Sequence, residues 1–340
     1  MKLKLLKFNP VYWSLLIFVV SQVILSAVII RGNPFLESHN INFPRPPSGS
    51  ISVWPGTVTT TSTATSVVTS TTPVSTGILT VTQTIVTKII GETSVSGYSS
   101  LGPILIYFFS VVIILGLILF IVPLKVLSII LKILFVVLFC WGMFISLVFF
   151  IPIVATLVIA VVVGVVWFFF PRVWLHNAVL VLALVSVGAV FGRLISPWTA
   201  MIVLAALAIY DFLAVRFGYM VWMAKRMSES TTLPAIVIPY SKSNWNSSLK
   251  TTDFVVEEKP SDRKYSILGG GDIGFSLLII ASVYFASGLI PGIVMAVFTL
   301  LGLIAAYWIQ AVFLKGKPMP ALPPIAVLSL IGLLVVNFIV

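Results

Sequence analysis

The sequence predicts an all-α polytopic membrane protein with nine transmembrane helices, on three observations. Of its 340 residues, 59% are hydrophobic and 9% charged, and the mean hydropathy is +1.18, a balance foreign to water-soluble domains. Several apolar runs reach the roughly 20 residues that a spanning helix needs. Prolines fall at the ends of those runs, at Pro103, Pro123, Pro152, Pro171, Pro197, Pro291 and Pro320, where a missing N–H is least costly. The net charge of +11 does not argue for nucleic acid, because Lys and Arg collect on the cytoplasmic side of membrane proteins. A single cysteine, Cys140, excludes an intrachain disulfide, and two distant histidines, His39 and His176, argue against a zinc site of the usual ligands.

Taken in order, the chain opens with Lys2, Lys4 and Lys7 before an apolar run at 11–30. That run is long for a signal core and is followed by no small-x-small cleavage pattern, so 1–30 is read as a tail and first span. Residues 31–100 form an outer loop rich in Thr, Ser and Val, the composition of an O-glycosylated stalk; its alternating Thr and Val also suit strands. Spans follow at 103–123, 126–150, 152–170 and 177–195, making 101–196 a bundle. The remaining four, at 198–223, 266–288, 291–314 and 319–339, make up 197–340 with one polar loop at 224–264. With the N-terminus inside, Lys125, Arg172, that basic loop, Lys315 and Lys317 are inside too. Outside remain Arg31, Arg45, Lys88 and Arg193, so the N-terminus and the 224–264 loop are expected in the cytoplasm.

Of nine acidic residues, two fall within apolar spans, Asp211 and Asp272. A carboxylate at membrane depth costs about 2.5–3.5 kcal/mol on insertion scales and marks function. Counted from Trp222 and Tyr265, the two acids lie roughly 16 and 10 Å from the cytoplasmic ends of their spans, deep enough to meet. Two close carboxyls cannot both ionise cheaply, so the pair holds a general base and a general acid together. That equips them to activate water against a peptide carbonyl. A proton-coupled transporter or cation leak would use buried acids as well. Gly269, Gly270 and Gly271 favour proteolysis, since they weaken the helix before Asp272 and let another chain approach its backbone. In KGKPMPALPPIAVL, the prolines predict that Pro320-Ala321-Leu322 stays extended at the depth of the acids.

Tyr210-Asp211, Gly269-x-Gly271-Asp272 and Pro320-Ala321-Leu322, in that order, resemble the presenilin and signal peptide peptidase family of GxGD intramembrane aspartyl proteases. The motifs span about 200–340, and nine spans make the whole chain presenilin-like. The inside loop at 224–264 and the continuation Pro320-Ala321-Leu322-Pro323 suit the presenilin branch, and MAKRMSESTTLPAIVIPY is similar to archaeal presenilin homologues. Prepilin peptidases share the GxGD pattern but lack the Pro-Ala-Leu element. The resemblance implies that Asp211 and Asp272 are the catalytic pair, with Gly269 and Gly271 as motif residues around the site. It also implies that Pro320, Ala321 and Leu322 support the site and the substrate. Tyr210 is read as a hydrogen-bond donor beside Asp211 or as packing. Lys132 and Arg216 are read as snorkelling or paired, with Arg216 near enough to bias Asp211, and Arg193 as an outer anchor. No metal or organic cofactor is implied. The partners implied are transmembrane-helix substrates and the lipid bilayer, with no nucleic acid. A substrate unwound for cleavage needs new backbone partners, and strand addition supplies them. LPAIVIPY at 233–240, loosely ordered without substrate, and the stretch 317–322 are the expected templates.

Overall fold

The structure, a computed structural model, describes residues 10–38, 106, 110, 114, 124–218, 233–249, 264–313 and 320–339. The chain divides into two units. One, Met1–Ser48 with Ile118–Val340, holds every element described below. In the other, Gly49–Leu117, the described residues are Ile106, Ser110 and Ile114, all helical.

Eight helices run in order: α1 Pro10–Ser38, α2 Leu124–Leu147, α3 Ile153–Phe169, α4 Val173–Leu194, α5 Pro197–Arg216, α6 Gly270–Ser287, α7 Leu289–Val312 and α8 Leu322–Ile339. Among the described residues six helices are long and apolar enough to cross a membrane, and two shorter apolar ones lie within α3 and α8. Together these correspond to eight of the nine expected spans. The ninth, 103–123, and residues 39–100 lie outside the described residues, apart from Ile106, Ser110 and Ile114.

Local chemistry sets several boundaries. Ser196 caps α5, its hydroxyl accepting the Thr199 N–H at 3.2 Å, and Pro197 opens the helix where no N–H is wanted. α5 ends at Arg216, and residues 219–223 of the span expected at 198–223 lie outside the described residues. Gly218, at φ +73°, takes the left-handed conformation that ends helices, and its N–H bonds back to the Val215 carbonyl at 3.1 Å.

Among the described residues, the most extensive helix pair is α4 against α6. Two glycines one turn apart make this approach possible. A Cβ on Gly188 would stand 2.9 Å from the Leu277 Cβ, and one on Gly192 only 2.5 Å from the Ala281 Cβ. Membrane helices gain little by burying apolar surface from lipid, so close backbone contact through small residues is a main source of association. Gly192→Leu is expected to push α6 off α4 at a cost of about 1–3 kcal/mol. The check is a lower thermal unfolding temperature in detergent.

Arg193 does more than anchor an end. Its Nη1 donates to Asn33 Oδ1 at 2.9 Å and its guanidinium lies 5.2 Å from the Phe285 ring centre, joining α1, α4 and α6. About three turns earlier on α1, Gln22 donates to Thr299 Oγ1 at 3.2 Å and to the Ala296 carbonyl at 3.3 Å on α7.

The purely helical expectation fails at the 224–264 loop and the start of α6. β1 (Ala235–Pro239) and β2 (Tyr265–Gly269) pair antiparallel, Ala235 facing Gly269 and Pro239 facing Tyr265. The span expected from 266 therefore begins at Gly270, after a strand. LPAIVIPY is not loose: every β1 residue is buried, Ile236 and Ile238 completely. A continuous β-branched run suits a strand covered on both faces. Beyond β1, a 3-10 turn at Lys242–Asn246 and Leu249 fold over the α3–α4 corner. There the Leu249 N–H donates to the Pro171 carbonyl at 2.9 Å and the Val173 N–H to the Ser247 carbonyl at 3.1 Å. Val173, Leu233, Ala235, Val237 and Leu249 form a small core beneath this cover.

Candidate active site

Asp211 sits on the last turns of α5, five residues before its end, and is buried. Its partner is backbone. The Leu322 N–H donates to Asp211 Oδ2 at 3.3 Å. The reason lies in the first turn of α8. A helix start leaves its first N–H groups unpaired. Here two of those positions are Pro323 and Pro324, which have none, and the Ile325 N–H is taken by the Ala321 carbonyl at 3.4 Å. Leu322 thus carries a free donor at the positive end of a helix, and a carboxylate is the natural acceptor. Pro320 and Ala321 precede the helix, as the prolines require, while Leu322 is its first residue.

Asp272 is the third residue of α6 and is half-buried. Its side chain folds back over the preceding glycine, where a Cβ on Gly269 would come within 2.9 Å of Oδ2. Gly270 is constrained from the other side: its N–H donates to the Pro234 carbonyl at 3.0 Å, and a Cβ would stand 2.6 Å from that oxygen. Gly271 differs. It is exposed, and a Cβ would meet nothing nearer than Phe275 at 3.8 Å. Backbone packing therefore requires glycine at 270; at 269 an added Cβ would crowd only the Asp272 carboxyl, and at 271 nothing in the fold excludes a side chain.

α5 packs on α6, and the two carboxyl groups are close enough to interact electrostatically. Of the residues singled out in the sequence, the structure brings Asp211 onto Leu322 and Asp272 onto Gly269. Tyr210 is half-buried beside Asp211 on α5. Arg216 does not lie on Asp211; it lines an apolar groove of about 630 Å³ with Phe212, Ile309, Pro320 and Pro324, between α5, α7 and α8. Tyr307 of α7, which no sequence pattern flagged, is within electrostatic range of Asp272.

Two acids on neighbouring membrane helices, one held by the start of a proline-broken third helix, define a membrane-embedded acid-pair protein. A family model for signal-peptide peptidase and presenilin aspartyl proteases matches residues 80–340. The chain belongs to that family and is an integral membrane protein. Among solved structures it is similar to a presenilin family intramembrane aspartate protease crystallised in space group C222. The TM-score is 0.57 and the identity 15%, over 98% of this chain and all of that one. A structure described in the same words, in space group P2, gives a TM-score of 0.48 and 19% identity over 76% of this chain and 93% of that one. No curated protein matches the chain.

Proposed function

We propose that the chain is a GxGD-type intramembrane aspartyl protease that hydrolyses peptide bonds within transmembrane segments of other proteins, through Asp211 and Asp272. The observation that carries this reading is the Leu322 N–H on Asp211, which sets the Pro-Ala-Leu segment against one acid while α6 holds the other within electrostatic range. The ionised carboxyl takes a proton from water as its oxygen adds to the scissile carbonyl. The protonated carboxyl supplies a proton to the departing nitrogen. Nine spans, with the N-terminus and the 224–264 loop cytoplasmic, complete the arrangement.

Substrate strand addition shifts to a different template. In an antiparallel pair, hydrogen-bonded and non-bonded positions alternate. The Tyr240 N–H reaches the Lys264 carbonyl and the Gly270 N–H the Pro234 carbonyl, each within 3.0 Å. The bonded pairs between them are therefore Ile236 with Leu268 and Ile238 with Ser266. Tyr265, Ile267 and Gly269 turn their backbone groups to the outer edge of β2, which leads straight to Asp272. An unwound substrate lying on that edge reaches the acids past Gly271, whose missing side chain the fold itself does not require.

The test is hydrolysis of a helical transmembrane substrate by the purified chain in detergent. Cleavage products are expected. Proton flux into liposomes without any cleavage would instead identify a transporter. Orientation is checked at Asn246-Ser247-Ser248, a glycosylation acceptor pattern. Asn246 is expected to stay bare in a host that glycosylates lumenal loops, and a gel shift abolished by Asn246→Gln would invert the topology.

A further inference from the structure

We propose that Asn177, with His176 beside it, is a positioning residue that closes the second edge of β1 and thereby fixes the register of the substrate edge on β2. The proposal rests on the strand-addition reading above. β1 has two edges. One is paired with β2. The other carries the backbone groups of Ala235, Val237 and Pro239, the positions that face non-bonded partners across the ladder.

α4 occupies that edge with side chains. The Val237 N–H donates to Asn177 Oδ1 at 2.9 Å, and Asn177 Nδ2 donates to the Val237 carbonyl at 2.7 Å. A carboxamide carries the same donor and acceptor as a peptide group, so Asn177 bonds β1 as a neighbouring strand residue would. Next along the edge, the Ala235 carbonyl lies 3.1 Å from His176 Nε2, which must carry the proton to make this bond. Pro239 offers no N–H. Both side chains are buried, and the imidazole is wedged against Trp167 and Phe139, with ring centres 5.9 Å away in each case. The edge of β1 is therefore closed to any added strand.

The same contacts fix position. His176 and Asn177 stand on the first turns of α4, whose start is pinned by the Val173–Ser247 and Leu249–Pro171 backbone bonds and by Arg172 Nη1 on Asn246 Oδ1 at 2.7 Å. β1 cannot slide along α4 without breaking the paired bonds to Asn177. β2 follows β1 through the ladder, and Asp272 lies three residues beyond the end of β2. The chain itself joins β2 to Asp272, and the carboxamide of Asn177 sets where the sheet, and with it the β2 edge, lies against α4 and the helix bundle.

The experiment uses the full chain in detergent with one helical transmembrane substrate, and reads product ends by mass spectrometry. Wild-type protein is expected to give one dominant cut. Asn177→Ala is expected to add cuts offset by about two residues, the smallest slip that keeps each side chain on its own face. Amide exchange across 233–240 is expected to quicken in the same variant. Asn177→Ser, which keeps one hydroxyl partner for Val237, is expected to show a smaller share of offset cuts. It carries the test if the alanine variant does not fold. Unchanged product ends in a folded, cleaving variant overturn the positioning role, even if stability falls. A wild-type chain that cleaves nothing overturns the protease reading itself, a separate outcome.

Discussion

Asp211→Asn and Asp272→Asn are each expected to lower cleavage of a transmembrane substrate by roughly 10⁴-fold or more, because groups that act as a unit fail as a unit. Neither change is expected to unfold the protein. An asparagine at 211 keeps an oxygen for the Leu322 N–H, so the α8 start retains its acceptor. At 272 the amide is no larger than the carboxyl that already lies over Gly269. Removing one acid also removes the mutual repulsion of two carboxyls in a poorly solvated place. Thermal stability in detergent is therefore expected to hold or rise while activity is lost. Appreciable cleavage by either variant would mean that the acids only shape the fold. Loss of activity with loss of folding would leave the amide as a poor mimic, and Asp→Glu at each site, which keeps the charge but moves it, would then separate chemistry from packing.

The acids are legible in the sequence because the membrane makes them expensive. A charge in an apolar run stands out against its neighbours, and the glycines and prolines nearby are the residues that interrupt helices. What the sequence hides is how those interruptions are used. Tyr265–Gly269 is apolar enough to be read as the start of a span. It forms a strand because the stretch from Pro234 to Tyr240 offers it a ladder, and a partner so far along the chain leaves no periodic trace. Asn177 shows no pattern at all, since its role depends on the backbone of β1 passing beside α4. The Pro-Ala-Leu segment reads as extended from its prolines, but the decisive group is the one N–H those prolines spare. Gly188 and Gly192 stand at the spacing expected of a helix contact, and their purpose appears only once α6 is seen against them.

The second large effect concerns the outer edge of β2. Ile267→Pro is expected to cut cleavage of a helical transmembrane substrate by roughly ten- to a hundredfold. The N–H it removes points away from β1, so the ladder within the sheet keeps its bonds, and an edge strand with its N–H outward is where proline is tolerated. A substrate carbonyl that loses this donor on the edge leading to Asp272 gives up one template bond, a penalty of about 1–3 kcal/mol. Ile267 is also 42% exposed, so little packing is lost with its side chain. Ile236→Pro acts differently. Its N–H is turned to Leu268, and its side chain is fully buried, so this change breaks the sheet itself. A short peptide that is already extended depends less on the template, because it has no helix to give up. Cleavage of such a peptide by Ile267→Pro is therefore expected to fall only a few-fold, while Ile236→Pro lowers both substrates together. Equal loss on both substrates by Ile267→Pro, with normal stability, would mean that this edge does not hold the unwound segment, and no loss on either would place the template elsewhere.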